Sequence, residues 1–277
     1  MEAVSATGTL RVSRTEQSAR VRRLSESEAD ATAPATQPRA TAAPLSVLLT
    51  EGTARAHEQA ERSVFLQSLF VDSWDGIYGQ FVRAQHYVSY LRQLHVLYAT
   101  FESVLPRVAR TALTPVLLMP ELRRASALEA DLAYFCGETR TETFACVETR
   151  LHAERLREVA EDAPHLLVAH VYARCVLDFF AAPERARVIS NAFELEDARG
   201  TLFHGTATPT ELSEFRVRLH SRIDGLELEE DEAREIIQEA RMAFRLQALV
   251  CDELARGATG IAPASGGGYR GGFSVSQ

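Results

Sequence analysis

The sequence predicts an all-α fold, one multi-helix domain between two tails, and three observations predict it. Apolar residues recur at helical spacing through the middle of the chain. No stretch alternates apolar and polar side chains for long enough to suggest a sheet. Breaks at Pro106, Thr114–Pro115, Gly137, Pro164 and Gly205–Pro209 divide the middle region into helix-length segments.

Residues 1–44 contain no Phe, Trp, Tyr or Ile and are rich in Ala, Thr, Ser and Arg, so they bury too little apolar surface to order themselves. The Arg11, Arg14, Arg20, Arg22 and Arg23 bias fits a plastid or mitochondrial transit segment. A plain tail fits Glu26, Glu28 and Asp30 equally well. The helical domain is expected over 45–256. Within it, Leu91, Leu94, Tyr98, Phe101 and Leu105 mark one face of a long helix. Ile237, Ala240, Phe244, Ala248 and Cys251 mark another. The run Leu166–Phe180 is apolar nearly all round and reads as a buried central helix. About six or seven helices result, without internal repeat. From Gly257 the chain carries seven glycines in 21 residues and reads as a flexible tail.

Composition excludes several functions. A net charge of −8 argues against nucleic-acid binding, which needs a basic stripe. No apolar run reaches the ~18 residues of a membrane helix, so a soluble protein without a membrane anchor is expected. The four cysteines are far apart and form no C-x-x-C pair, which points to a reducing compartment, cytoplasm or organelle. All 30 basic residues are arginine, so every cationic contact comes from a guanidinium or a protonated histidine.

Helical domains with histidines invite metal or cofactor chemistry. A di-iron bundle needs Glu-x-x-His, and none of the eight histidines has a Glu three residues before it. The segment at His57 reads His-Glu-Gln-Ala-Glu, which is not the zincin motif. His57 nevertheless shares a helix face with Leu49, Thr53 and Ala60, while Arg55, Glu58 and Arg62 lie opposite. Glu61 follows one turn later, placed to accept an imidazole N–H. Read from these residues alone, His57 is either an axial ligand or a core histidine satisfied by its glutamate. In the cluster Tyr172, Arg174 and Asp178, Arg174 and Asp178 are an i,i+4 ion pair, or Asp178 holds a polar group or water inside an otherwise dry cavity. Arg216, Arg218, His220 and Arg222 are a solvated face or a cradle for carboxylates.

These places also carry a resemblance. The segment Glu51-Gly52-Thr53-Ala54-Arg55-Ala56-His57-Glu58-Gln59-Ala60-Glu61 resembles the proximal helix of the heme oxygenase family. The stretch from Leu122-Arg123-Arg124 to Leu128-Glu129-Ala130-Asp131-Leu132, the run Leu166–Arg174, and Ser221-Arg222-Ile223-Asp224-Gly225-Leu226 resemble later family segments in the same order. The resemblance implies helices sandwiching heme b, which is both cofactor and substrate, and oxidative cleavage to biliverdin, CO and ferrous iron. It also implies O₂, electrons from a ferredoxin or NADPH-dependent reductase as partner, and a monomer. It assigns His57 as the iron ligand, Glu61 as its partner, Asp178 as the catalytic aspartate of the distal helix, and Tyr172 and Arg174 as pocket residues.

The chain departs from the family pattern at two places. Where family members read Gly-Asp-x-Ser-Gly-Gly-Gln, this chain has Leu177-Asp178-Phe179-Phe180-Ala181-Ala182-Pro183. Leu177 and Ala181 thus stand where glycines let the backbone lie against heme, Leu177 is expected to project toward the heme face, and Pro183 is expected to bend the helix instead. Among the propionate-binding positions, Thr50 replaces a lysine, His220 replaces an arginine, and Arg216 keeps a positive charge. A heme carrier, a heme sensor or a heme-free interaction protein is therefore the alternative to the enzyme.

Overall fold

The computed structural model describes residues 43–70, 84–108, 112–137, 145–205 and 207–258. The expected N-terminal tail up to residue 42, and the C-terminal tail from residue 259, lie outside them. No strand occurs among the described residues. The α-helices are α1 (Leu45–Glu61), α2 (Val64–Phe70), α3 (Ala84–Val104), α4 (Thr114–Leu117), α5 (Ala125–Cys136), α6 (Val147–Asp162), α7 (Leu167–Arg174), α8 (Ala182–Ala192), α9 (Pro209–Asp224) and α10 (Glu230–Ala258). This exceeds the expected six or seven because α2 and α4 are too short to show a period and the apolar run is split. Gly257, assigned to the tail, lies within α10.

The 29-residue α10 is the spine, packed along α1 and against α6, α7 and α2. Gly52 permits its approach to α1: a Cβ there would sit 2.8 Å from Ile237 Cγ2. Arg241 then donates through Nε to the Gly52 carbonyl at 2.7 Å, fastening the same contact. The main core joins Leu49, Leu97, Phe101, Leu156, Val168, Leu219 and Phe244, all essentially inaccessible. A second apolar cluster gathers Phe65, Leu69, Tyr87, Tyr90, Leu128 and Phe203. No single described helix is long and apolar enough to cross a membrane. The bent pair Pro164–Phe179 and Ala182–Ala192 passes by length and composition only.

Several helices begin on carboxylates borrowed from elsewhere in the chain. Pro44 precedes α1 and supplies no side-chain cap. Asp224, at the end of α9, instead accepts from Ser46 N and Ser46 Oγ, both at 2.8 Å. Glu102 on α3 accepts from Arg124 N and Ala125 N at the start of α5. Glu253 on α10 accepts from Val147 N and Glu148 N at the start of α6. Each satisfies N–H groups that have no intrahelical partner and places negative charge at the positive end of a helix. The start of α9 carries a local capping box, Thr208 with Glu211.

Because Asp224 ties the start of α1 to α9, its loss removes a cap and a tertiary link together. Asp224→Ala should lower unfolding free energy by about 1–2 kcal/mol, with Asp224→Asn recovering part of it. Urea denaturation followed by circular dichroism measures this; equal midpoints for parent and Asp224→Ala would refute it.

Candidate functional site

A groove of about 460 Å³ opens between α1, the bent helical segment running from α7 into α8, and α9. From α1 it is lined by Thr50, Thr53, Ala54, His57 and Glu61. Those positions recur at three- and four-residue intervals, which makes them one stripe of the helix. The opposite wall is Tyr172, Val176, Phe180 and Ala181, and α9 closes one end with Arg216 and His220.

The bend in the opposite wall arises where α7 passes into a π-helical turn, Cys175–Phe179. Phe180 N reaches back five residues to the Cys175 carbonyl at 3.4 Å. Pro183, which has no N–H to donate, falls in the first turn of α8, where none is required. The segments before and after are bent by 44°. The bend expected at Pro183 is thus present, with a π turn ahead of it that the sequence reading lacks. Tyr172, Val176 and Phe180, four residues apart, face the groove. Leu177 lies one position further round, and its side chain is buried in the main core at 1% exposure. The expectation that Leu177 projects into the pocket is corrected accordingly: Val176 and Phe180 form that wall.

His57 lies half-buried on the groove, its ring centroid 5.3 Å from that of Phe244. Burial lowers its pKa from the ordinary value, Glu61 opposing that effect and Arg185 adding to it. A neutral imidazole, with a lone pair to offer, is therefore the resting form near neutral pH. The expected hydrogen bond to Glu61 is not made: Nε2 is 3.9 Å from Glu61 Oε1. Glu61 is held instead by Arg185, whose Nη2 donates to both carboxylate oxygens at 2.9 and 3.0 Å.

Arg174 and Asp178 form the ion pair that the residues suggest, Nη1 to Oδ2 at 3.2 Å with both side chains 2% exposed. Tyr98 Oη donates to Asp178 Oδ2 at 2.9 Å, and Arg174 Nη2 donates to Gln247 at 2.9 Å. Neither Arg174 nor Asp178 is among the side chains lining the groove, and both are buried, which corrects the assignment of Arg174 to the pocket lining. Tyr172 does line it, and donates to Thr50 Oγ1 at 3.3 Å.

At the end formed by α9, the four-residue spacing sorts the basic cluster. Arg216 and His220 face the groove, whereas Arg218 bonds Glu121 and Arg222 bonds the Pro115 carbonyl. The Arg216 guanidinium lies 4.1 Å above the Phe180 ring. Burial lowers the pKa of His220, Asp224 opposes this, and Arg216 reinforces it.

Sequence reasoning missed Arg185. It is 3% exposed, donates to the Leu177 carbonyl at 2.7 Å, and lies 4.9 Å over the Phe70 ring. The available signal was its place beside Ala182, Val188 and Ile189 on the apolar face of α8: an arginine there must find buried acceptors.

Known proteins share this arrangement of helices. A family model described as heme oxygenase matches residues 43–253. The heme oxygenase of Rhodella violacea is 26% identical over 211 residues, covering 76% of this chain and 86% of that protein. Heme oxygenase 2 of Oryctolagus cuniculus is 30% identical over 226 residues, covering 80% and 69%. Heme oxygenase-1 from the cyanobacterium Synechocystis, solved in complex with heme, superposes with a TM-score of 0.69 at 27% identity, covering 79% and 96%. With the family model spanning most of the domain and the fold shared with a solved member, the chain belongs to the heme oxygenase family of enzymes.

Proposed function

We propose that the groove binds heme with His57 as the axial ligand, and that the protein cleaves it to biliverdin, CO and ferrous iron. O₂ and electrons from an external ferredoxin or NADPH-dependent reductase are required. The observation that carries this reading is one neutral histidine on α1 facing an apolar bent helix, with Arg216 and His220 closing one end of the space between them. The residues fit the group: Val176, Phe180 and Ala181 suit a flat apolar face, and Arg216, His220, Thr50 and Tyr172 suit its two carboxylates. When bound, heme supplies the oxygen-activating iron and is itself the substrate consumed.

The chain's own contribution is to bind, orient and exclude water. His57 offers one ring nitrogen. Arg216 and His220 fix the carboxylate edge and so the rotation of the ring in its slot. Asp178 acts as a positioning residue, holding Tyr98 and Arg174 behind the wall on which the reacting edge would lie. A heme carrier or sensor is the second reading, favoured by one observation: Phe180 and Val176 fill the wall that Asp178 would need to reach.

Hemin titrated into the purified protein should give a sharp Soret band, and reductant under air should bleach it toward a biliverdin-like spectrum. His57→Ala should abolish the imidazole-ligated spectrum while leaving helical circular dichroism intact. An unchanged spectrum in that variant would assign the iron to another residue, and a stable Soret band under turnover conditions would assign the carrier.

Heme affinity should fall as pH rises. Protonated His220 attracts a carboxylate, and raising the pH through its pKa removes that charge. Because burial holds that pKa below the ordinary value of about 6.5, the loss should lie mostly below about pH 7 and amount to roughly 5-fold, since a half-exposed pair contributes about 1 kcal/mol or less. His220→Arg should flatten the profile; a parent affinity independent of pH would remove His220 from the cradle.

The distal wall gives a paired expectation. Phe180→Ala should widen the groove and speed single-turnover cleavage. Leu177→Gly should leave that rate unimproved and cost about 3–5 kcal/mol of stability, since Leu177 fills the core. The reverse result would place Leu177, and not Phe180, over the heme.

A further inference from the structure

Arg185 joins the two walls of the groove through one guanidinium. A buried guanidinium must be matched by acceptors or its desolvation goes uncompensated. On its own side it donates to the Leu177 carbonyl at 2.7 Å, while Asp178, at 3.8 Å, is beyond hydrogen-bond reach and is engaged by Arg174 and Tyr98. Its Nη2 reaches across to α1 and engages both oxygens of Glu61. Glu61 is one helical turn from His57, where a carboxylate is placed to accept the imidazole N–H, yet the separation is 3.9 Å. Held through both oxygens by the guanidinium, the Glu61 carboxylate stays out of hydrogen-bond reach of His57. The other charged or titratable groups on the groove are Tyr172 on the opposite wall and Arg216 and His220 at the end formed by α9, and none offers a carboxylate in place of Glu61.

We propose that Arg185 is a positioning residue that withholds Glu61 from His57, so that His57 meets the iron as a weakly donating neutral imidazole. The inference rests on heme occupying the groove and names a regulator of its proximal ligand that lies on the opposite wall. A hydrogen bond from a ligating histidine to a carboxylate raises its basicity, and a more basic ligand stabilises ferric over ferrous iron. By holding the carboxylate, Arg185 biases the bound iron toward the ferrous state, the one that binds O₂. The same guanidinium contacts the π turn through the Leu177 carbonyl, so ligand strength and the seating of the bent helix are set by one side chain.

The test uses the full chain loaded with hemin and reduced under inert gas, with the iron–imidazole stretch read by resonance Raman spectroscopy and the reduction potential by spectroelectrochemistry. Arg185→Met should release Glu61 to His57, moving the stretch to higher frequency and the potential downward. Arg185→Lys, which keeps a cation beside Glu61, should retain the parent frequency. Glu61→Gln in the parent should leave the stretch where it is, whereas added to Arg185→Met it should reverse the rise.

A stretch unmoved by Arg185→Met overturns the proposal, as does a fall in the parent on Glu61→Gln, which would mean that Glu61 already serves His57. The Glu61→Gln arm decides the matter even where Arg185→Met fails to fold. A parent that yields no Soret band with hemin refutes heme binding itself and this inference with it. A normal Soret band without the shift refutes the inference alone.

Discussion

The first N–H groups of a helix have nothing inside the helix to bond, and for α1, α5 and α6 the acceptors come from other helices. Asp224 serves α1, Glu102 serves α5, and Glu253 serves α6. Each such bond does two jobs, because a carboxylate that satisfies a helix start also fixes the position of that start relative to its own helix. The groove depends on this directly. The start of α1 is pinned to the end of α9 by Asp224, and the end of α1 is pinned to α8 through Glu61 and Arg185. His57 therefore sits on a helix held at both ends by ionised groups, and the distance between the walls is set by those two attachments.

The wall opposite His57 shows how a family geometry is reached with different residues. Glycines would bring backbone close to a flat ligand without side chains in the way. This chain supplies the bend through a π turn and a proline in the first turn of α8, and a π turn inserts extra backbone whose carbonyls need partners. Arg185 meets that need at Leu177. Phe180, held between Arg216 on one side and Phe215 on the other, occupies space a glycine wall would leave open.

Much of this is legible in the residues themselves. The stripe of α1 that carries His57, the buried run ending at Phe180, the long faces of α3 and α10, and the separation of Arg216 and His220 from Arg218 and Arg222 all follow from a 3.6-residue period. What is not legible follows from interactions that period cannot encode. The caps on α1, α5 and α6 join residues 178, 22 and 105 positions apart. The π turn is a local change of period, and it accompanies a Leu177 side chain turned into the core instead of the groove. Arg185 was visible as an arginine on an apolar face, but its competition with His57 for Glu61 exists only once α8 is folded against α1.

Gly52 has a consequence for how the two walls of the groove are held. With no side chain at that position and an arginine stapled to its carbonyl, α1 and the spine helix meet backbone to side chain. The segment carrying Phe180 and the short α8 behind it have a bend and a buried ion cluster in place of such a seam. One side of the slot therefore takes its position from close packing and the other from paired charges shielded from water, so the same width rests on two different physical sources.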